Sequence, residues 1–327
     1  MSSYQITQRP RRNRKSAAIR DMVRETTLGV EHLIYPMFLL DGHAKNVPIQ
    51  SMPGIHRMSQ DYILHEIEAC MNLGLRSFVL FPAVEDHLKD RMASYGLRED
   101  NFYVQTAVAI KKRFPESVLM SDVAMDPYSS DGHDGWVENG EIVNDKTLEI
   151  LSQMAVVQAA AGFDIIGPSD MMDGRVGAIR EALDAGGYSQ ASIMAYCAKY
   201  ASAYYGPFRD ALDSAPKFGD KKTYQMDPAN ANEAIREAEL DEAEGADFLM
   251  VKPALCYLDV ILRLQQTSTL PITAYNVSGE YAMLKAAAAQ GWIQYDRAMP
   301  EMLLSIRRAG ASAILTYFAK EYAQSIR

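Results

Sequence analysis

The stretch Gly245-Ala-Asp-Phe-Leu-Met-Val-Lys252 holds the unit from which the fold can be predicted. It follows an amphipathic segment at 231–244, and glycine is the residue type that most often ends a helix in the left-handed conformation. The continuous apolar run after the glycine is typical of a strand buried on both faces. Helix, glycine and buried strand in this order indicate one repeat of an α/β fold.

The same signal recurs along the chain, with Gly74, Gly162 and Gly310 each preceding an apolar run. Eight such runs are predicted as strands: 32–40, 77–84, 117–126, 164–171, 192–198, 247–251, 271–277 and 313–318. Amphipathic stretches between them include 60–73, 148–161, 231–244 and 297–308. Eight βα units predict an α/β TIM (β/α)8 barrel over residues 31–327. An open doubly wound sheet is the alternative, but no Gly-x-Gly-x-x-Gly follows the first strand.

Composition excludes several classes of protein. The 327 residues are 48% hydrophobic and 23% charged, with a formal net charge of −9. An acidic chain is a poor nucleic-acid binder, and no apolar stretch approaches the roughly 18 residues that span a bilayer. The N-terminal segment has no apolar core of a secretory signal. Three scattered cysteines without metal-ligand spacing indicate free thiols and a cytoplasmic location.

Residues 1–30 precede the first predicted strand and contain the basic run Arg9-Pro-Arg-Arg-Asn-Arg-Lys15. A short basic run can contact nucleic acid. On an acidic protein, however, we expect an extended arm that packs on a neighbouring subunit.

Two lysines lie inside apolar runs, Lys199 in Ala-Tyr-Cys-Ala-Lys-Tyr-Ala and Lys252 in Phe-Leu-Met-Val-Lys-Pro-Ala. Burial and a neighbouring ammonium both disfavour the charged form, so we expect amines that are partly neutral near pH 7. A neutral amine attacks a ketone to give an imine. The alternative is that each aliphatic stem is buried and each ammonium reaches solvent.

The fold predicts where the chemistry lies, because barrel enzymes build their sites at the carboxyl ends of the strands. Lys199 and Lys252 end neighbouring predicted strands, which lie about 5 Å apart in a sheet. The other polar residues expected at these ends are Asp122, Asp126, Ser169, Asp170, Ser278 and Tyr317. A long connection at about 204–224 carries aromatic residues and the cations Arg209, Lys221 and Lys222. We predict that it forms a lid over an acidic substrate, with Lys222 as a solvated charge.

The segments Lys199-Tyr-Ala-Ser-Ala-Tyr-Tyr-Gly-Pro-Phe-Arg-Asp210, Met250-Val-Lys-Pro-Ala254 and Val277-Ser-Gly-Glu-Tyr-Ala-Met283 resemble those of the porphobilinogen synthase (δ-aminolevulinic acid dehydratase) family. The resemblance extends from Arg9 over almost the whole chain. It implies a homo-octamer of arm-exchanging dimers and a lyase that condenses two 5-aminolevulinate molecules to porphobilinogen in tetrapyrrole (heme or chlorophyll) biosynthesis. It implies no organic cofactor.

The resemblance also implies roles for single residues. Lys252 is similar to the lysine that binds the substrate of the propionate side, and Lys199 to the lysine that binds the second substrate. Ser278 and Tyr317 match the positions that bind the first carboxylate, and Arg209 and Lys221 those that bind the second. Asp122 is our own candidate for orienting an amine or relaying protons.

Many members of the family bind catalytic zinc through three cysteines after the third strand. The matching positions here are Ala124, Asp126 and Asp134, and carboxylates favour Mg²⁺ over Zn²⁺. No catalytic zinc is therefore expected, and Asp126 and Asp134 either bind a cation or hydrogen-bond the substrate amine. Asp131 is a further oxygen ligand candidate, whereas His133 is expected in the lid.

Glu237 matches the glutamate that holds an allosteric Mg²⁺ in magnesium-responsive, aspartate-rich relatives. Without the resemblance, an acidic helix of this kind is read as a solvated face.

Two other functions remain open at this point. A class I aldolase-type lyase on the same barrel would need one essential lysine. A non-catalytic barrel acting as a scaffold or sensor would bind 5-aminolevulinate without forming product, but binding alone gives no reason to depress two amine pKa values.

Overall fold

A computed structural model describes residues 6–212, 217 and 219–327. Its strands are β1 (Leu33–Leu40), β2 (Asn46–Pro48), β3 (His56–Ser59), β4 (Ser77–Ala83), β5 (Val118–Met120), β6 (Val137–Glu138), β7 (Glu141–Ile142), β8 (Ile165–Ile166), β9 (Ser192–Lys199), β10 (Phe248–Lys252), β11 (Ile272–Asn276) and β12 (Ala313–Thr316). Its α-helices are α1 (Ala17–Met22), α2 (Gln60–Asn72), α3 (Phe102–Arg113), α4 (Asn144–Ala160), α5 (Arg175–Ala185), α6 (Gly206–Leu212), α7 (Asn232–Ala243), α8 (Leu258–Thr267), α9 (Ser278–Ala289), α10 (Tyr295–Arg308) and α11 (Ala319–Ser325). Short 3-10 helices lie at Pro10–Arg14, Val30–His32, Asp86–Leu88, Ser94–Leu97, Ala203–Tyr205 and Leu255–Tyr257.

Eight parallel strands form a closed barrel within the described part of the chain. They follow the order β1, β4, β5, β8, β9, β10, β11 and β12, and β12 pairs back with β1 to close the ring. β2 and β3 extend the sheet beyond β1. The predicted TIM barrel is therefore confirmed, and the doubly wound alternative is wrong.

The glycine signal has the predicted conformation. Gly74, Gly162, Gly245 and Gly310 all have positive φ, from 92° to 122°. This left-handed conformation carries little penalty in glycine and turns the chain from each helix into the following strand.

The structure shortens two predicted strands. The strand predicted at 117–126 is regular only in β5, and the one predicted at 164–171 only in β8. Beyond them the two segments touch at a single bridge between Val123 and Pro168. There the Val123 N–H donates to the Gly167 oxygen at 2.9 Å and the Val123 oxygen accepts from the Ser169 N–H at 3.1 Å, so the two segments stay paired although the regular strands have ended.

The N-terminal residues 6–30 form the 3-10 helix at Pro10–Arg14 and α1, neither of which contains a buried residue. The predicted lid lies partly outside the described residues, at 213–216 and 218. Its described part begins as the 3-10 helix Ala203–Tyr205 and α6 rather than as an open loop. No helix of the described chain has the length and apolar character needed to cross a membrane.

Gly167 provides a test of how closely the β5 and β8 segments approach. A Cβ atom at this position would lie 2.5 Å from the backbone oxygen of Ser121. Because the backbone must move to accept it, we expect Gly167→Ala to lower the free energy of unfolding by about 1–3 kcal/mol. Denaturant unfolding followed by circular dichroism measures this change.

Gly206→Ala is the matched control, since no atom lies within 4 Å of the added Cβ. It should leave the free energy of unfolding within about 1 kcal/mol of the original value. Equal stability of the two variants would contradict the close approach.

Candidate active site

Lys252 is the last residue of β10, and its side chain is surrounded by aromatic rings. Lys252 is 6% exposed. Its Nζ atom lies 4.8–5.4 Å from the ring centroids of Tyr196, Tyr205, Phe208 and Tyr275. We call these four residues the aromatic cage. Tyr196 and Tyr275 come from the strands on either side of β10, whereas Tyr205 and Phe208 come from the segment after β9.

Burial in the cage decides the protonation of Lys252. Loss of hydration, together with the charge of Lys199, lowers the pKa of Lys252 to about 7. Ring faces attract a cation, but by at most about 2 kcal/mol, whereas full burial can shift a lysine pKa by about 3–5 units. Desolvation therefore outweighs the attraction of the rings, in agreement with the expectation of a partly neutral Lys252 amine near pH 7.

Lys199 ends β9 and is the direct Cα partner of Lys252 across the parallel pair. Its surroundings are different. Its Nζ donates to Asp134 Oδ2 at 2.9 Å and to the backbone oxygen of Ser169. Lys199 thus has a carboxylate partner, which the argument from sequence did not include.

Asp134 is fully buried between two lysines. Its Oδ1 accepts from Lys221 Nζ at 2.5 Å, and Lys221 also donates to Asp126 at 3.2 Å. Burial would raise the pKa of Asp134, but the ammonium groups of Lys199 and Lys221 hold it below its ordinary value. Burial and the charge of Asp134 raise the pKa of Asp126. Lysines and aspartates that were predicted on separate segments of the chain therefore form one hydrogen-bonded network.

Asp122 follows β5 and is buried near this network. Burial and the neighbouring charge of Asp126 raise the pKa of Asp122 to about 6. Its Oδ1 has no hydrogen-bond partner. A carboxyl group with a pKa near neutrality can both give and take a proton at physiological pH.

Ser278 lies just after β11, and Tyr317 lies just after β12. These are the next two strands of the barrel after β10, which ends in Lys252. Ser278 Oγ accepts from the Phe208 N–H at 3.0 Å, so it contacts the segment that carries two members of the cage. The Tyr317 hydroxyl lies 2.7 Å from that of Tyr275. Both residues are about 1% exposed.

Arg209, Glu237, Asp131 and His133 complete the predicted set. Arg209 is half-buried on α6, close enough for its charge to act on the Tyr224 hydroxyl. That hydroxyl also lies 3.0 Å from His133 Nδ1. Asp131 faces Arg91 at 3.6 Å rather than the lysines. Glu237 lies on α7 and lines a cavity of about 890 Å³ that His133 and Tyr224 also line.

The cage is the feature that sequence reasoning missed. Tyr196 and Tyr275 lie on predicted strands, where an aromatic residue is ordinarily part of the core. The cage could have been predicted in part from strand order, because both of these strands flank the strand that ends in Lys252. Phe208 and Tyr205 lay in the predicted lid, but nothing in the sequence indicated which strand end they would cover.

The burial of Lys252 in the aromatic cage predicts how the reactivity of its amine depends on pH. Only the neutral amine attacks a ketone, so capture of the keto acid 4-oxopentanoate on Lys252 by cyanoborohydride should increase about ten-fold between pH 6 and pH 8, as expected for an amine with a pKa near 7. Phe208→Ala should admit water and move the midpoint up by about one pH unit, because hydration restores the charged form. Peptide mass spectrometry across a pH series gives both midpoints.

Phe208→Leu is the control, since it keeps an apolar side chain beside the amine. It should leave the midpoint within a few tenths of the original value, by the same desolvation argument. An unchanged midpoint in Phe208→Ala would show that the ring does not keep Lys252 dry.

Comparison with known proteins agrees with this geometry. The family model for delta-aminolevulinic acid dehydratase matches residues 7–325. The chain is 53% identical to the delta-aminolevulinic acid dehydratase of Bradyrhizobium diazoefficiens, over 98% of this chain and 91% of the relative. It is 51% identical to that of Chlamydia pneumoniae, over 98% of this chain and 96% of the relative.

A solved structure matches closely as well. The Toxoplasma gondii delta-aminolevulinic acid dehydratase, in complex with the reaction product porphobilinogen, superposes with a TM-score of 0.96 at 53% identity, covering 98% of this chain and 92% of that one. The chain therefore belongs to the delta-aminolevulinic acid dehydratase family of lyases.

Proposed function

We infer that this chain condenses two molecules of 5-aminolevulinate into porphobilinogen by forming one imine on Lys252 and one on Lys199. The observation that carries this inference is the pairing of the two lysines across β9 and β10 at the carboxyl end of the barrel. Each lysine is about 6% exposed, so each amine meets a substrate away from bulk water. One lysine per ketone is what a two-substrate condensation needs.

Lys252 is suited to bind a ketone without prior loss of a partner. Its amine forms no ion pair with any residue that the structure describes, and its depressed pKa leaves much of it neutral near pH 7. The cage excludes water, which would otherwise hydrolyse the imine. Ser278 and Tyr317 provide hydroxyl donors for the carboxylate of the same substrate.

Lys199 must give up its contact with Asp134 before it attacks the second ketone. Lys221 bonds the other oxygen of Asp134 and so holds the carboxylate in place during that exchange. Arg209 and Lys221 provide the positive charge for the second carboxylate. Asp134 Oδ2 can then accept a hydrogen bond from a substrate ammonium, and so can the Asp126 oxygen that does not bond Lys221.

The atoms balance without an oxidant or reductant. Each imine forms with loss of one water, which accounts for both waters released. A carbon nucleophile derived from the Lys199 imine attacks the imine carbon held on Lys252, and the amino group of the first substrate attacks the carbon held on Lys199. Each attack is followed by departure of a lysine amine, and loss of a ring proton then gives the pyrrole. Asp122, with a pKa near 6, is our candidate for moving these protons.

The two-lysine mechanism predicts that neither amine is dispensable. Lys252→Met and Lys199→Met should each lower porphobilinogen formation by about 1000-fold or more, because the ketone loses its covalent electron sink. A colorimetric assay for porphobilinogen measures the loss. Turnover of ketone substrates by Lys199→Met would instead favour a one-lysine aldolase.

Lys222→Met is the matched control. Lys222 lies in the same segment as Lys221, but its side chain is 74% exposed and forms a surface ion pair with Asp220 at 3.6 Å. We expect its activity within about two-fold of the original, as for other exposed pairs.

The residues of the site do not fit a catalytic zinc. Zinc prefers thiolates, whereas this chain offers Ala124, Asp126 and Asp134 in their place. Lys221 Nζ lies between the two carboxylates and already supplies a positive charge there. No step of the mechanism above needs a metal at this position.

We propose Glu237 as the residue that holds an allosteric Mg²⁺, in line with the aspartate-rich, magnesium-responsive type. Burial raises the pKa of Glu237, and Asp173 and Glu233 line the same cavity. Mg²⁺ commonly binds one or two carboxylates and keeps several waters. The described residues contain no group of three or more acidic, histidine or cysteine side chains that could hold a metal ion, so the remaining ligands would be water. When bound, the ion would neutralise acidic charge and favour the state that binds it.

Metal removal tests this assignment. After complete chelation we expect residual porphobilinogen formation, stimulation by added Mg²⁺ and no requirement for Zn²⁺. Glu237→Gln should lose the stimulation, whereas Glu239→Gln, on the exposed face of the same helix, should keep it. An absolute requirement for Zn²⁺ would contradict our interpretation of Asp126 and Asp134.

We propose further that residues 1–30 are an arm that packs on a neighbouring subunit in a homo-octamer, and that 204–224 closes over the substrate. The exposure of the described arm residues supports an external partner for them. Three free cysteines, Cys70, Cys197 and Cys256, suit a cytoplasmic location.

A further inference from the structure

A chain of buried polar side chains runs behind the proposed first-substrate site. Glu280, Asn276 and Thr316 are each 0% exposed. Burying a carboxylate is costly unless hydrogen bonds compensate it. The hydrogen-bond partners of Glu280 therefore indicate which parts of the structure its buried carboxylate holds together.

The two oxygens of Glu280 bond two different segments. Oε1 accepts from the backbone N–H of Leu255 at 2.7 Å. Oε2 accepts from the backbone N–H of Val277 at 3.0 Å and from Asn276 Nδ2 at 2.8 Å. Three N–H donors thus converge on one carboxylate.

The chain continues from Asn276 to the next strand. Asn276 Oδ1 accepts from the Thr316 hydroxyl at 2.9 Å, and that hydroxyl accepts from the Phe318 N–H at 3.2 Å. Together these bonds join the carboxyl ends of β10, β11 and β12. Those ends carry Lys252, Ser278 and Tyr317.

We propose that Glu280 is a positioning residue that fixes the distance between the imine-forming amine of Lys252 and the carboxylate-binding hydroxyls of Ser278 and Tyr317. The proposal rests on the function assigned above to those three residues. Leu255 is three residues after Lys252, and Val277 and Phe318 are the direct neighbours of Ser278 and Tyr317. Glu280 therefore bonds directly to the backbone near Lys252 and next to Ser278. It is connected to the backbone next to Tyr317 through Asn276 and Thr316.

Helix capping alone does not account for these bonds. Glu280 is the third residue of α9, and its bond to Val277 N–H is the one that a capping-box residue makes. A capping residue needs neither burial nor a bond to Leu255 on another strand end. Glutamine serves equally well in a capping box, but here its amide N–H₂ would face converging donors. The carboxylate is therefore specific to the connection between strands.

A pair of ketones separates positioning from simple loss of structure. 4-Oxopentanoate has the ketone and carboxylate of the substrate, and pentan-2-one has a methyl group in place of the carboxylate. Each is captured on Lys252 with cyanoborohydride, and peptide mass spectrometry gives the half-saturating concentration. Burial raises the pKa of Glu280 to about 7, so the capture is made at about pH 8.5, where the carboxylate is ionised. Glu280→Gln should then raise that concentration about ten-fold for 4-oxopentanoate, as expected when one hydrogen bond to a buried charged group is lost, and less than two-fold for pentan-2-one.

A second variant interrupts the chain near Tyr317. Thr316→Val keeps the shape of the side chain and removes the hydroxyl, so we expect an increase of about three-fold for 4-oxopentanoate only, the size of one neutral hydrogen bond. Thr273→Val is its control, because Thr273 is equally buried on β11 but bonds the Leu249 backbone oxygen instead. Thermal unfolding of each variant accompanies the capture, and if Glu280→Gln fails to fold, the two threonine variants decide.

The outcomes distinguish this inference from the function on which it rests. Absence of any Lys252 adduct in the unchanged protein overturns both. An adduct in the unchanged protein, with equal losses for the two ketones in Glu280→Gln, or with Thr316→Val matching Thr273→Val, overturns the positioning role alone.

Discussion

The site depends on one constraint, the exclusion of water from the ammonium group of Lys252. The barrel achieves this by position, because β10 lies between two strands that each direct a tyrosine toward the same point. The segment after β9 covers the remaining side with Tyr205 and Phe208. An amine held this way has lost hydration without a direct carboxylate contact, and its pKa falls although the charges of Asp122, Asp134 and Asp126 oppose the shift. The hydroxyls and carboxylates around Lys252 could orient a bound substrate, but the proposed reaction begins only because this amine can lose its proton.

The neighbouring lysine shows that burial alone does not set reactivity. Lys199 is buried to the same degree, yet it forms an ion pair with Asp134. Asp134 is shared with Lys221, so the carboxylate is fixed by two cations and cannot follow either one. The two amines at adjacent strand ends therefore have different surroundings, so that in the proposed mechanism two identical substrates meet two chemically distinct positions. An asymmetric product requires such a difference.

The sequence predicted the fold and the residues at the strand ends well, because both follow from local rules. Glycine at a helix end and an unbroken apolar run each have one favoured conformation, and strand order brought the two lysines together. The same rules did not predict the partner of Lys199, since Asp134 lies 65 positions away along the chain. Nor did they predict the ends of the third and fourth strands, which stop being regular at Met120 and Ile166. Contacts between loops depend on packing that a single sequence does not encode in any local pattern.

The acidic residues after β5 raise the question of what balances them. Asp122, Asp126 and Asp134 lie in one buried region, and three ionised carboxylates there would repel one another strongly. Lys199, Lys221 and Lys252 provide up to three positive charges in the same region, and Lys221 bonds two of the carboxylates. A divalent cation placed between Asp126 and Asp134 would have to displace the Lys221 ammonium that already bonds both carboxylates. The chain's own Lys221 ammonium therefore balances charge between Asp126 and Asp134, whereas burial and the charge of Asp126 raise the pKa of Asp122 to about 6.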